Sequence, residues 1–306
     1  MRRCANCARK IREDKPFALM AASVEEIKRF CAVSDAEERL LLSPARPITL
    51  LKKRSGIESV ISESVAPGQK YLGWMLAYAP LHHLLLARCA RPLVMTSCNG
   101  SDEPIAYRDE DAVTRLQPVA DHFLTHDREI HMRCDDSVAR VFQHWQPRHN
   151  KSMLLRCSRG YAPQSIKTAR RFSRRILACG AELKNTFCLT RENYVFVSHH
   201  IGDLENLETL RSFEEGSEHF KRLFYLEPEV VAHDLHPEYL IQQLRSGILI
   251  TLPQRINHST GQHGERKSSG YWLLPRVSPL PPWFFPVGQV IQVLILKNPS
   301  LQRVLA

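Results

Sequence analysis

RPLVMTSCNGS, residues 91–101, joins a strand signal to a ligand signal. RPLVM (91–95) reads as a strand, and it runs into Thr96-Ser97-Cys98-Asn99-Gly100-Ser101, a loop of small polar residues. Just upstream, Pro80 opens a helix over 81–90. Further upstream, Ser23-Val-Glu-Glu26 and Ser34-Asp-Ala-Glu37 each have the pattern of a capping box. Val24, Ile27, Phe30 and Cys31 continue the first at helical spacing, and Pro44 closes the helix begun by the second. Residues 47–51 then read as a buried strand ending in Lys52-Lys53-Arg54, and 55–70 as a Ser/Gly/Pro loop. Helices and strands in alternation predict an α/β layer architecture.

A second unit starts near Gln164. Residues 165–179 read as a basic helix stopped by Gly180. Residues 187–190 and 194–198 are strand-like, with Arg191-Glu-Asn193 as the turn between them. Residues 206–224 form an amphipathic helix carrying Leu207, Leu210, Phe213, Phe220 and Phe224, and 229–233 a short strand leading into Asp234-Leu-His236-Pro. Beyond Leu240 the regularity fades.

A chain of 306 residues with 43% hydrophobic and 24% charged residues has room for two domains and real cores. The net charge of +10 is unevenly spread: residues 241–306 hold seven bases and one acid, and the first 240 carry only +4. The body is therefore mildly basic, which does not by itself indicate nucleic-acid binding. Nine scattered cysteines, an odd number, with no apolar run near the start, predict free thiols in a cytoplasmic protein. Cys4 and Cys7 form a lone C-x-x-C, whereas a closed zinc site needs four ligands, so no metal site is assigned. The longest apolar stretch, 283–296, is interrupted by Pro286, Gln289 and Gln292, and no membrane span is predicted.

Lys10-x-Arg12 together with Ser97-x-Asn99 would suit a phosphate-bearing ligand: cations neutralise phosphate, and hydroxyl and amide groups orient it. A lone Lys-x-Arg is more often a solvated face. His82-His83 reads as helix packing rather than metal ligation. Asp135-Asp136 suits either a Mg²⁺ site or an exposed turn. Cys188 reads as core rather than nucleophile.

These motifs belong to an ordered series: KPFALM (15–20), SPARPITLLKKR (43–54), SVAPG (64–68), LAYAPLHHLLL (76–86), TSCNGSDEPI (96–105), HDREIHMRCDDSVARV (126–141), LLRCSRGYAP (154–163), GAELKNTFCLT (180–190), HIGDLENLETL (200–210) and EVVAHDLHPEYL (229–240). With Lys10-x-Arg12 and Ser97-x-Asn99, the series resembles YrdC-like domains, which bind ATP and make carbamoyl-type adenylates. More specifically, it resembles the HypF-type carbamoyltransferases of NiFe-hydrogenase maturation.

The resemblance implies an incomplete YrdC-like twisted mixed sheet with helices over 1–163, lacking its beginning. The first part of an ASKHA-like α/β transferase domain would follow over 164–240, and 241–306 would be an unmatched tail, read out of frame or disordered. It implies that carbamoyl phosphate and ATP, with Mg²⁺, yield a carbamoyl adenylate, and that the carbamoyl group passes to the C-terminal Cys of a HypE-type partner protein. Zinc belongs to the full-length family only. By motif, Lys10, Arg12, Ser97 and Asn99 would contact the ATP phosphates or the adenylate. Arg133, Asp136, Ser137, Arg156 and Arg159 are further pocket candidates, and Lys184, Asn185, Asp203, Asp234 and His236 are transferase-domain candidates. No catalytic residue is assigned. A chain that enters its family partway into a domain is expected to have little independent catalysis. Two alternatives share the first domain: a threonylcarbamoyl-adenylate synthase of tRNA modification, and a non-catalytic module with weak double-stranded RNA binding.

Overall fold

The computed structural model describes residues 15–56, 60–100, 103–142 and 151–233. Lys10, Arg12, Asp234, His236 and everything from 234 onward lie outside the described residues, as do Cys4 and Cys7.

The first unit is a twisted mixed sheet. Its strands are β1 (Ala18–Ala21), β2 (Cys31–Ala32), β3 (Ile48–Lys53), β4 (Tyr71–Leu76), β5 (Leu93–Met95), β6 (Val138–Phe142) and β7 (Lys151–Arg156), in the order β5-β1-β4-β3-β6-β7 with β2 added on β3. β1 runs parallel to β4 and antiparallel to β5, and β3 runs parallel to β6. Four short helices accompany the sheet, α1 (Val24–Lys28), α2 (Asp35–Leu42), α3 (Pro80–Cys89) and α4 (Asp109–Leu116), the last packing on the loop after β5 through Ala112 and Leu116.

Local chemistry explains these helix starts. The Ser23 side chain accepts from the Glu26 N–H, and Ser34 and Glu37 form the reciprocal capping box expected from the sequence. α3 begins with Pro80 at its first turn, where the missing N–H costs nothing. The core lies between sheet and helices, with Phe30 stacked on the fully buried Trp74 at 5.5 Å between ring centroids.

The second unit is a five-stranded sheet of β8 (Ser165–Lys167), β9 (Ile176–Ala178), β10 (Cys188–Arg191), β11 (Tyr194–Val197) and β12 (Val230–Ala232), ordered β12-β9-β10-β11-β8. It is covered by α5 (Leu207–Phe224), capped by the Asn206 side chain, which accepts from the Thr209 N–H. Phe187 of the sheet side meets Phe213 and Phe220 of α5 edge-on, at 5.4 and 5.1 Å.

Residues 165–179 are not the basic helix expected from the sequence. They form two strands, β8 and β9, joined by a bend that carries Arg170, Arg171, Arg174 and Arg175. β9 is held between β10 and β12, and β8 pairs with β11, so ladder pairing with distant strands overrides the helical propensity of the Arg-rich run. Gly180 does take a left-handed backbone (φ +69°), but at the end of a strand. The hairpin over 188–197 and the helix after Asn206 lie where the sequence placed them.

Candidate functional site

The Ser97–Asn99 loop leaves the sheet at the end of β5. The antiparallel register pairs Ala18 with Met95, so the start of β1, just after Lys15, lies beside the exit of β5. Within the loop, Ser97 Oγ donates to Asn99 Oδ1 (2.7 Å), and Asn99 Nδ2 donates to the Glu103 carbonyl (2.7 Å). Glu103 is anchored by Arg115 of α4 (2.5 Å), which also holds Asp111 (2.9 Å). Ser97 and Asn99 are half-buried and Cys98 is buried beneath them. The loop is therefore braced from below by α4, and its two polar side chains are fixed in one arrangement.

The remaining first-unit candidates gather in a second cluster. Arg159 is 5% exposed. Its Nε donates to Asp136 (2.8 Å), and its two terminal nitrogens donate to the Ala45 and Arg46 carbonyls (3.0 and 2.9 Å). Its guanidinium also lies 3.5 Å from the Tyr78 ring centre. Tyr78 is hydrogen-bonded to Asp136 and packs edge-on against His82 at 4.4 Å. Burial pushes the Tyr78 hydroxyl pKa well up. Burial also lowers His82 to about 4, with the Asp136 charge opposing the shift. Ser137 ties the same strands together, donating to the Arg159 carbonyl (2.9 Å) and accepting from the Ser158 N–H (2.8 Å). Arg156 pairs with Asp135 at 3.3 Å.

Asp135 and Asp136, weighed from the sequence as a Mg²⁺ site or an exposed turn, are each paired with an arginine. Among the described residues no group of three His, Cys, Asp or Glu could hold a metal ion. The carboxylates present do not fit a resident Mg²⁺. The thiols are no better placed as nucleophiles, since burial raises Cys31, Cys134 and Cys157 to about 11 and also raises Cys188.

In the second unit the β9–β10 loop carries the other described candidates. Lys184 has φ +52°, and its N–H donates to Asp203 (2.6 Å). Asn185 is buried, and its Nδ2 donates to the Cys179 and Ala181 carbonyls (2.7 and 2.6 Å). Asn185 Oδ1 is buried with no partner. Asp203 and Asn185 therefore shape the loop, while the Lys184 side chain stays exposed.

The two units touch through contacts the sequence did not indicate. The His200 N–H donates to the Cys157 carbonyl (2.9 Å), Arg133 pairs with Glu215 of α5 (3.0 Å), and His131 meets His219 of α5 with nitrogens 3.3 Å apart. The Arg133 guanidinium also lies over Tyr107 at 5.0 Å. His199 and His200 are lowered to about 4, chiefly by burial, then by neighbouring cationic or imidazole groups. No local spacing pattern signals these pairings, because each joins residues from different units.

Two family profiles match the chain. One, Sua5/YciO/YrdC, described as "Telomere recombination", covers residues 7–156, and the HypF Kae1-like domain covers 171–263. Carbamoyltransferase HypF of Synechocystis sp. is 41% identical over 235 residues, covering 77% of this chain and 30% of the relative. Carbamoyltransferase HypF2 of Cupriavidus necator is 43% identical over 246 residues, again covering 30% of the relative. The solved structure of full-length HypF in the phosphate- and nucleotide-bound form superposes with a TM-score of 0.73 at 45% identity, over 79% of this chain and 37% of that one. The T. kodakarensis HypF structure gives 0.72 at 36% identity, over 79% of this chain and 31% of that one. The chain thus spans about a third of the length of these relatives. Two profiles in this order, with HypF relatives spanning both, show that the chain is homologous to one stretch of the HypF carbamoyltransferases, a Sua5/YrdC unit followed by part of the HypF Kae1-like domain.

Proposed function

We propose that the first unit binds ATP and serves carbamoyl-adenylate formation, and that the second unit begins the domain that passes the carbamoyl group to the C-terminal Cys of a HypE-type partner. That group would go on to supply cyanide ligands for NiFe-hydrogenase. The observation that carries this reading is the braced Ser97–Asn99 loop beside the entry of β1, in a chain whose relatives are named carbamoyltransferases.

The reaction would be an in-line displacement. A carbamate oxygen attacks the α-phosphorus of ATP, the bond from that phosphorus to the β-phosphate bridging oxygen breaks, and pyrophosphate leaves. Such a step depends on positioning and on neutralising phosphate charge. Lys10 and Arg12 would supply cations, and Ser97 and Asn99 would orient the phosphates or the adenylate. Mg²⁺ would arrive on the nucleotide, since Asp135 and Asp136 are taken up by Arg156 and Arg159. Arg159, Asp136 and Ser137 would then act by shaping the pocket wall. Lys184, on its loop between β9 and β10, would face a second phosphate-bearing ligand in the transferase unit, with Asn185 and Asp203 holding the loop; Asp234 and His236 remain transferase-domain candidates by motif.

Calorimetric titration of ATP into the whole chain tests this. Micromolar to millimolar binding is expected, weakened about tenfold or more in Lys10→Ala and in Asn99→Ala, a loss of roughly 1.4 kcal/mol each. Absence of ATP binding in the unsubstituted chain would overturn it.

A further inference from the structure

His131 lies in the loop before β6, and His219 lies on α5 of the other unit. His131 Nε2 and His219 Nδ1 are 3.3 Å apart, with ring centroids 5.2 Å apart and planes at 60°. Two imidazole nitrogens bound at about 2.05 Å to one tetrahedral ion stand about 3.3 Å apart, and their ring centres about 5.2 Å apart. A straight hydrogen bond between the two rings would instead put the centres roughly 5.6 Å apart at the same nitrogen separation. Both separations match two rings sharing one ion more closely than a straight hydrogen bond.

Access and charge suit a shared ion. His131 is exposed and His219 half-buried, so solvent reaches both. Each ring turns one nitrogen toward the other, Nε2 of His131 and Nδ1 of His219. Of the cations nearby, Arg133 is neutralised by Glu215 at 3.0 Å, one helical turn before His219. Arg222, on the next turn of α5, is the charge that opposes a bound cation. Neutral imidazole is a ligand for borderline metals such as zinc, and its donor bonds do not need a compensating carboxylate.

We propose that His131 and His219 form a two-histidine site for a divalent transition-metal ion, with water completing the coordination, and that the ion clasps the two units together. Among the described residues no third protein ligand is in place, so exchangeable rather than structural binding is expected. The site is separate from the Ser97–Asn99 loop and does not depend on the function proposed above.

The test uses the whole chain with Cys4→Ser and Cys7→Ser, which removes the one close cysteine pair. After chelator treatment, Zn²⁺ is titrated calorimetrically at pH 7.5, with thermal unfolding followed in parallel. One equivalent of zinc should bind and raise Tm. His131→Ala and His219→Ala should each weaken that equivalent at least tenfold and abolish the rise in Tm, while Glu215→Gln, which leaves the Arg133 charge uncompensated, should weaken it by less than either. The proposal falls if the Cys4→Ser, Cys7→Ser chain with both histidines in place binds no zinc up to millimolar concentration. It also falls if either histidine substitution leaves the isotherm unchanged, in which case the pair is a hydrogen bond only.

Discussion

The cluster around Arg159 and the loop at Ser97–Asn99 draw on the same residue chemistry, yet one is closed and the other open. Arg159 has its guanidinium nitrogens committed to Asp136, Ala45 and Arg46, and its face to Tyr78. Ser97 and Asn99 are half-buried, and Asn99 joins Ser97 to the Glu103 carbonyl through hydrogen bonds local to the loop. Both lie in stretches that resemble the family. Resemblance alone therefore does not separate a charge that builds the fold from one that meets a ligand; burial and partner count do.

The largest effect that would sharpen this contrast is expected from Arg159→Ala. Removing one partner of a buried ion pair leaves Asp136 uncompensated, and a loss of about 3–5 kcal/mol is expected, seen as a fall in Tm of roughly 10 °C. A Tm within a degree or two of the parent would show the cluster to be less closed than its geometry indicates.

Next comes acid. Folded, His82 and His199 stay neutral down to about pH 4, whereas unfolded they protonate near 6.5. The unfolded chain therefore binds more protons across that window. Stability is full above about pH 6.5 and declines as pH falls toward 4, by about 3 kcal/mol per histidine. Urea midpoints at pH 7.5 and 5 should differ, and His82→Leu should shrink the difference. An unchanged difference in that variant would place the acid sensitivity outside the closed cluster.

A smaller effect, about 1–3 kcal/mol, is expected from Gly160→Ala. Gly160 has φ +86°, and a Cβ there would stand 2.7 Å from the Ala45 Cα, against backbone that Arg159 itself holds in place. Chemical denaturation measures it, and a stabilised variant would contradict the tight approach.

The smallest stability change, about 1 kcal/mol or less, belongs to Asn99→Ala, since it removes hydrogen bonds within a half-exposed loop. Its effect should appear in ATP affinity instead. A large drop in Tm with unchanged ATP binding would invert the contrast and make the loop a structural element.

Much of the fold was legible because it is local. The caps at Ser23, Ser34 and Asn206, the hairpin turn at 191–193 and the apolar face of α5 are each set by residues within a few positions of one another. Residues 165–179 were misread for the complementary reason. Their strands exist through β10, β11 and β12, and β12 lies about fifty residues downstream. The Arg159 cluster likewise joins Arg159 to Asp136, 23 positions away, and to Ala45, 114 positions away.

By itself, the sequence determined the α/β class, the starts of α1, α2, α3 and α5, the ordered family stretches and the pairing of a strand with a polar loop at 91–101. Short-range sterics and hydrogen bonding suffice for the helix starts and the strand-to-loop join. Only the tertiary structure decided which charges are internal, how the second sheet takes up an Arg-rich run, and that His131 of one unit meets His219 of the other. Those outcomes depend on desolvation and on contacts between segments far apart in the chain, and both are properties of the folded chain rather than of any window of residues.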